Sequence, residues 1–198
     1  NDTKEGEIEN TKDIEIVPWI DDAPKNVNTM TLRKLRHKVK KKKVWAINEL
    51  GRRYDSGVGG VEKSSEKAVG YFEKALLLGN PRSMTTLGYM YQKGEGLAVN
   101  DKLAFEHYQM GAFKGYSGAQ SNVGFCYHDG VYVNQSNTKA REWFNRAAAQ
   151  GHKNAIKNLK YMDEEEKAKE EKRQAQIMQE KAKAEKQPNI MQEKEEKE

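Results

Sequence analysis

One six-residue phrase recurs along the middle of this chain at a nearly constant interval. It reads Ala46-Ile-Asn-Glu-Leu50-Gly51, then Ser83-Met-Thr-Thr-Leu87-Gly88, then Ala119-Gln-Ser-Asn-Val123-Gly124, and starts again at Ala155 and Leu159. Successive starts are 37, 36 and 36 residues apart. A period of that length belongs to stacked helix pairs. Each pair is too thin to bury its apolar stripe alone, so neighbours must lean on one another. The expected fold class is all-α, a right-handed α-solenoid of helix-turn-helix repeats with a long concave face. Such an object binds and rarely catalyses.

The register extends well beyond the phrase. Four residues after the Leu/Val stands an aromatic (Tyr54, Tyr91, Tyr127), and three further on a glycine (Gly57, Gly94, Gly130). After a loop come an alanine (Ala68, Ala104, Ala140), an aromatic pair or its equivalent (Tyr71-Phe72, His107-Tyr108, Trp143-Phe144), a small residue (Ala75, Gly111, Ala147) and a closing glycine (Gly79, Gly115, Gly151). The i, i+4, i+8 spacing of Ala46, Leu50 and Tyr54 places all three on one helical face. Gly51, Gly88 and Gly124 fall inside that first helix, where glycine costs roughly 1 kcal/mol against alanine. A cost repeated three times points to close approach of the second helix. Ser64 and Ser65, Asn100 and Asp101, and Ser136 and Asn137 offer N-caps to that second helix.

These residues resemble the Sel-1-like repeats, relatives of the tetratricopeptide repeats with a longer inter-helix loop. Lys67-Ala68, and Lys139-Ala140 with Trp143-Phe144 and Ala147-Ala148, match the family pattern. The departures are Ser83 for the first alanine, Leu103-Ala104 for Lys-Ala, Gly111-Ala112 for the alanine pair and Val123 for Leu. The resemblance covers about residues 44–162, as units 44–80, 81–116 and 117–152 plus a terminal helix 153–162. It implies scaffolding: a non-catalytic adaptor that takes a partner peptide or protein on the concave face, with no cofactor. Carrying over the concave positions of related repeats points to Asn48, Arg52, Arg82, Thr85, Tyr89, Gln92, Ser121, Phe125 and His128 as partner-binding residues.

Flanking segments differ in character. A third of the residues are charged and the mean hydropathy is −1.01, too polar for the whole chain to pack. Residues 1–30 hold 3 Lys against 8 Asp/Glu and are expected to be disordered or extended; residues 31–43 hold 8 Lys/Arg and no acid. The island Ile14-Glu-Ile16-Val17-Pro18-Trp19-Ile20 reads as a docking peptide for a partner or a clip onto the chain's own solenoid. After Met162 a charged tail, 163–198, repeats Ile177-Met178-Gln179-Glu180-Lys181 as Ile190-Met191-Gln192-Glu193-Lys194. Its apolar residues are too sparse for a heptad seam, which favours a lone solvated helix or a fluctuating coil over a coiled coil, with Pro188 as the helix end. No run approaches the roughly 18 apolar residues of a membrane span.

Motifs for chemistry are weak. Ser64-Ser65-Glu66-Lys67 and Ser136-Asn137-Thr138-Lys139 match the Ser-x-x-Lys of serine penicillin-recognising enzymes, but both sit at the cap position of the repeat and no Ser-Asp-Asn or Lys-Thr-Gly accompanies them. His37, His107, His128 and His152 are too scattered for a metal site. The single Cys126 excludes an internal disulfide framework and reads as a small buried apolar residue rather than a redox thiol. It is consistent with a cytoplasmic or nuclear protein, with a secretory lumen left open by the glycosylation triplets at Asn1 and Asn134.

The run from Arg33 to Lys43 carries two readings. In register, Leu35 falls on Phe144 and Val39 on Ala148, so the run can be a degenerate second helix capping the stack with a charged outer face. The alternative, which the capping register outweighs, is a nuclear or nucleic-acid-associated protein in which Lys40, Lys41, Lys42 and Lys43 form a nuclear address or an anionic patch that neutralises phosphates without reading sequence. No aromatic interleaves the lysines, which argues against a reader of nucleic-acid bases.

Overall fold

The computed structural model describes residues 22–195, with side chains to residue 184. The Ile14–Ile20 island, the Asn1 triplet and the side chains of the second Ile-Met-Gln-Glu-Lys copy lie outside the described residues. Among the described residues eight α-helices follow a short 3-10 turn, Val27–Thr29: α1 (Leu32–Lys40), α2 (Val44–Ser56), α3 (Ser65–Leu77), α4 (Pro81–Lys93), α5 (Asp101–Phe113), α6 (Ser117–Asp129), α7 (Asn137–Ala148) and α8 (Lys153–Glu195). No strand occurs among the described residues.

The chain divides into two compact units, one to Ile156 and one from Lys157. In the first, α2 packs on α3, α4 on α5 and α6 on α7, while α3 meets α4 and α5 meets α6. This is the helix-pair stack that the period predicts. First helices all end at a left-handed glycine, Gly57, Gly94 and Gly130. Second helices all begin at a side-chain cap: Ser64 Oγ accepts from Lys67 N, Asn100 Oδ1 from Leu103 N and Ser136 Oγ from Lys139 N. The serine hydroxyls of both Ser-x-x-Lys motifs are therefore engaged as helix caps.

The mid-helix glycines are where the two helices of a pair touch. A β-carbon on Gly88 would lie 2.8 Å from the Tyr108 ring and 2.9 Å from the Ala104 carbonyl; on Gly124 it would lie 2.7 Å from the Phe144 ring. Leucine and aromatic side chains fill the space around these contacts, with Phe72, Leu87 and Met90 buried in one layer and Tyr108, Val123, Cys126 and Trp143 in the next.

At the N-terminal end, α1 lies on α2. Leu35 is fully buried against Trp45, Ala46 and Leu50, with Leu32 and Val39 packed beside it.

In the second unit the expectation that Pro188 ends the helix is corrected: α8 continues through it to Glu195. A proline removes one N–H donor and bends a helix, but Glu, Lys, Gln, Met and Ala on both sides are strong helix formers, so the helix resumes. Within α8, Lys160, Lys167 and Lys169 pair with Glu164, Glu171 and Glu165 one turn away. No helix among the described residues is long and apolar enough to cross a membrane, and none of their His, Cys, Asp or Glu clusters could hold a metal ion.

Candidate partner-binding face

The nine residues singled out above sort by their position relative to the Leu/Val landmark. Two places before it, the side chains are spent inside the stack. Asn48 Oδ1 accepts from Ser83 Oγ of the next repeat at 2.8 Å, Thr85 Oγ1 donates to the Pro81 carbonyl at 2.8 Å, and Ser121 is only 5 % exposed. Ser121 is thereby out of a partner's reach and drops from the set.

Two places after the landmark, the side chains face outward. Tyr89 on α4 is 45 % exposed and Phe125 on α6 is 43 % exposed, while the Arg52 side chain at the equivalent place on α2 is 45 % exposed. The aliphatic residues Leu50, Leu87, Met90 and Val123 of these helices are buried. The two aromatics stand at one repeat-equivalent position on α4 and α6, which touch each other.

Five places away, the residues are polar and engaged. Gln92 Oε1 accepts from the Tyr108 hydroxyl at 3.1 Å, His128 pairs with Asp129, and the Arg82 guanidinium lies 5.8 Å from the Tyr116 ring centre.

Asn48, Arg52 and Arg82 come together around a cavity of about 270 Å³ that also takes in Ala23, Val27 and Trp45. Arg52 donates to both oxygens of Glu49, at 2.8 and 2.9 Å. Burial pushes the Glu49 carboxyl up, but the hydrogen bonds and charges of Arg52 and Arg53 outweigh it and hold the group below its ordinary range. The Glu49 bond in turn raises Arg52.

Arg53, which the sequence reading passed over, organises the floor of this end. It is 2 % exposed. Its Nε donates to Glu49 at 3.0 Å and its Nη2 reaches the carbonyls of Val27 and Met30 at 3.1 and 2.7 Å. The signal available in the sequence is the Glu49–Arg53 spacing, an acid one turn before a base on the same face.

Stacked helix pairs with a capped end and an outward row on the first helices define an α-solenoid repeat protein. The Sel1 repeat model matches residues 46–80, 81–116 and 117–152, more than half of the chain, and the chain belongs to the Sel1 repeat family. A Sel1 repeat protein from Oxalobacter formigenes is 35 % identical over 65 % of this chain and 96 % of its own, with a TM-score of 0.59. The protective antigen c5321 of uropathogenic Escherichia coli, which displays an SLR fold, is 32 % identical over 65 % of this chain and 27 % of its own, with a TM-score of 0.60. No curated protein matches. Sel1 repeat proteins generally mediate protein–protein interactions.

Proposed function

We propose that this chain is a non-catalytic adaptor that holds an extended segment of a partner protein against its first helices. The observation that carries this reading is the outward row two places after the landmark. Tyr89 and Phe125 are large apolar side chains left nearly half exposed on helices whose Met84, Leu87, Met90 and Val123 are buried. Exposed aromatics of this kind, ringed by polar neighbours, are the anchors that dominate interfaces. Arg82, seven residues before Tyr89 on α4, stands on the same helix face, while Arg52 already has Glu49 as its counterion. Asn48 and Gln92, half-buried and already hydrogen bonded, would border the segment instead of anchoring it.

The test is selection of a random peptide display library on the full chain, followed by affinity measurement of the enriched peptides on Tyr89→Ala and Phe125→Ala. Affinity should drop about tenfold or more for each, in line with loss of an interface anchor, while the melting temperature stays near that of the parent. Enriched peptides that bind both variants as tightly as the parent would remove this face from the assignment.

A further inference from the structure

Several of the chain's cations are partnered. In α8, Lys160, Lys167 and Lys169 pair with glutamates one turn away. In the repeats, Lys67, Lys74 and Lys139 lie over the rings of Tyr54, Tyr71 and Tyr127. The eight Lys/Arg between Arg33 and Lys43 do neither: among the described residues none of them forms an ion pair or a ring contact, and all but Lys38 are exposed. Because the apolar stripe of α1 is turned onto α2, the cations are held on its outer side and in the turn that follows.

That turn contains a second, independent oddity. The three second helices of the repeats close at Gly79, Gly115 and Gly151, with φ of 81°, 79° and 77°. The position 109 residues before Gly151, in the register that lays α1 on α7, is Lys42, and its φ is 52°. Its N–H donates to Val39 O and that of Lys43 to Lys38 O, so the turn closes as it would with glycine. A left-handed non-glycine residue stores strain that persists where the surroundings or a function retain it. Here a cation stands where the rest of the solenoid uses glycine, between Lys41 and Lys43 in the sequence. Capping the stack for solubility asks only for polarity, and mixed charges would meet it.

We propose that the outer side of α1 and the Lys41–Lys43 turn binds the phosphate backbone of nucleic acid without reading its bases. Three features select this occupant. The surface offers charge and almost nothing apolar, so the partner must itself be a dense line of charge. A nine-residue helix is roughly 13 Å long, and a duplex carries one phosphate per about 1.7 Å, several phosphates along that length. An anionic membrane attracts the same cations through charge, but a firm hold adds an inserted apolar face, and Leu35 is fully buried against the chain's own α2. An acidic protein would be expected to meet aromatic or aliphatic anchors, and the run presents none. Asn and Gln, which read adenine edges, and Phe, Tyr and Trp are absent between Arg33 and Lys43, and the point charges of Lys40 to Lys43 suit phosphate oxygens, so the contact follows the backbone and not the sequence.

The experiment is fluorescence anisotropy of two short labelled duplexes of unrelated sequence with the full-length chain across a salt series. Parallel flotation with vesicles of phosphatidylserine and phosphatidylcholine supplies the lipid arm. Both duplexes should bind alike, with affinity falling linearly in log salt by about 0.9 per phosphate neutralised. The triple variant Lys40→Gln/Lys41→Gln/Lys43→Gln should bind about tenfold more weakly or worse at low salt and lose about 3 units of slope. A control with the same charge change on α8, Lys167→Gln/Lys169→Gln/Lys172→Gln, should keep the parental affinity, separating this patch from net charge. Lys42→Gly guards against a misfolded triple: it should raise the melting temperature by relieving the turn, yet lose about 1 unit of slope. Unchanged binding by the triple variant, equal loss in the α8 control, preference for one duplex, or flotation with vesicles in place of duplex binding would each overturn the proposal.

Discussion

The guanidinium of Arg53, on α2, donates to the carbonyl of Met30 at 2.7 Å and thereby ties the segment preceding α1 to the first repeat. The same group reaches the Val27 carbonyl and Glu49, so a charge that is almost completely out of solvent has both a counterion and backbone acceptors. Burying it is tolerable only with that full set.

Removing the counterion therefore leaves an uncompensated buried cation. Glu49→Gln should cost about 3 kcal/mol, within the range for breaking a buried pair, measured by urea unfolding at neutral pH. The pH dependence follows from the direction of the shift. The folded carboxyl titrates below its unfolded value, so its contribution is fully present above that unfolded value, about 4.3, and is lost as the pH falls through the folded one. Acidification from pH 5 to 3 should then destabilise the parent more steeply than Glu49→Gln. Parallel acid profiles would show that the pair carries no such linkage.

Two helical glycines should respond oppositely to alanine. At Gly88 the added carbon meets the Tyr108 ring and, at 2.9 Å, the fixed Ala104 carbonyl. At Gly70 on α3 it meets nothing within 4 Å. Gly70→Ala should gain up to about 1 kcal/mol from helix propensity. Gly88→Ala should lose about 1 kcal/mol or more once overpacking exceeds that gain. Thermal melts of the two variants decide the matter, and two shifts of the same sign would refute the close-approach account.

What the sequence disclosed and withheld follows from how each feature is encoded. Leu-Gly, the aromatic pair and the closing glycine recur at fixed intervals because each repeat meets the next through the same contacts, so the stack, the caps at Ser64, Asn100 and Ser136 and the role of Gly88 are all periodic. Arg53 is not periodic: its acceptors are carbonyls some two dozen residues upstream, and a backbone carbonyl leaves no mark in the sequence. The landmark-based choice of binding residues fixed a helix face but not depth. Ser121 and Tyr89 both follow from it, yet one is buried and the other open, because depth depends on how neighbouring helices cover the face. Pro188 misled for a local reason, since propensity on both sides carries the helix past it.

Cys126 sits among Val123, Ala119 and Trp143. Burial, with Asp101 and Asp129 adding to it, pushes its thiol up to about 12. A thiol in that state is both inaccessible and protonated at neutral pH, and the thiolate is the reactive form. Labelling with a disulfide exchange reagent should be slow in the native chain and immediate in denaturant. Fast labelling at pH 7.5, followed by absorbance, would place Cys126 at an accessible surface instead.

His107 offers the cleanest handle on the repeat interior. It stacks on Tyr91 at 5.4 Å with the planes 11° apart, as Tyr71 stacks on Tyr54 one repeat earlier. Unlike Tyr71 it brings a buried Nδ1 with no hydrogen-bond partner among the described residues. Burial lowers its pKa, against the opposing pull of Glu106 and Glu73. Folding thus prefers the neutral ring. The unfolded chain takes up the proton first as pH falls past about 6.5, and the stability present above that value declines as the pH drops through the folded one. His107→Phe keeps the stack, deletes the orphan nitrogen and abolishes the titration. It should gain about 1 kcal/mol at pH 7.5 and a larger margin at pH 5.5, read from urea midpoints at the two values. A constant margin would mean that the ring is satisfied or solvated in the folded chain, and a loss at both would mean that Nδ1 has a partner the stack depends on.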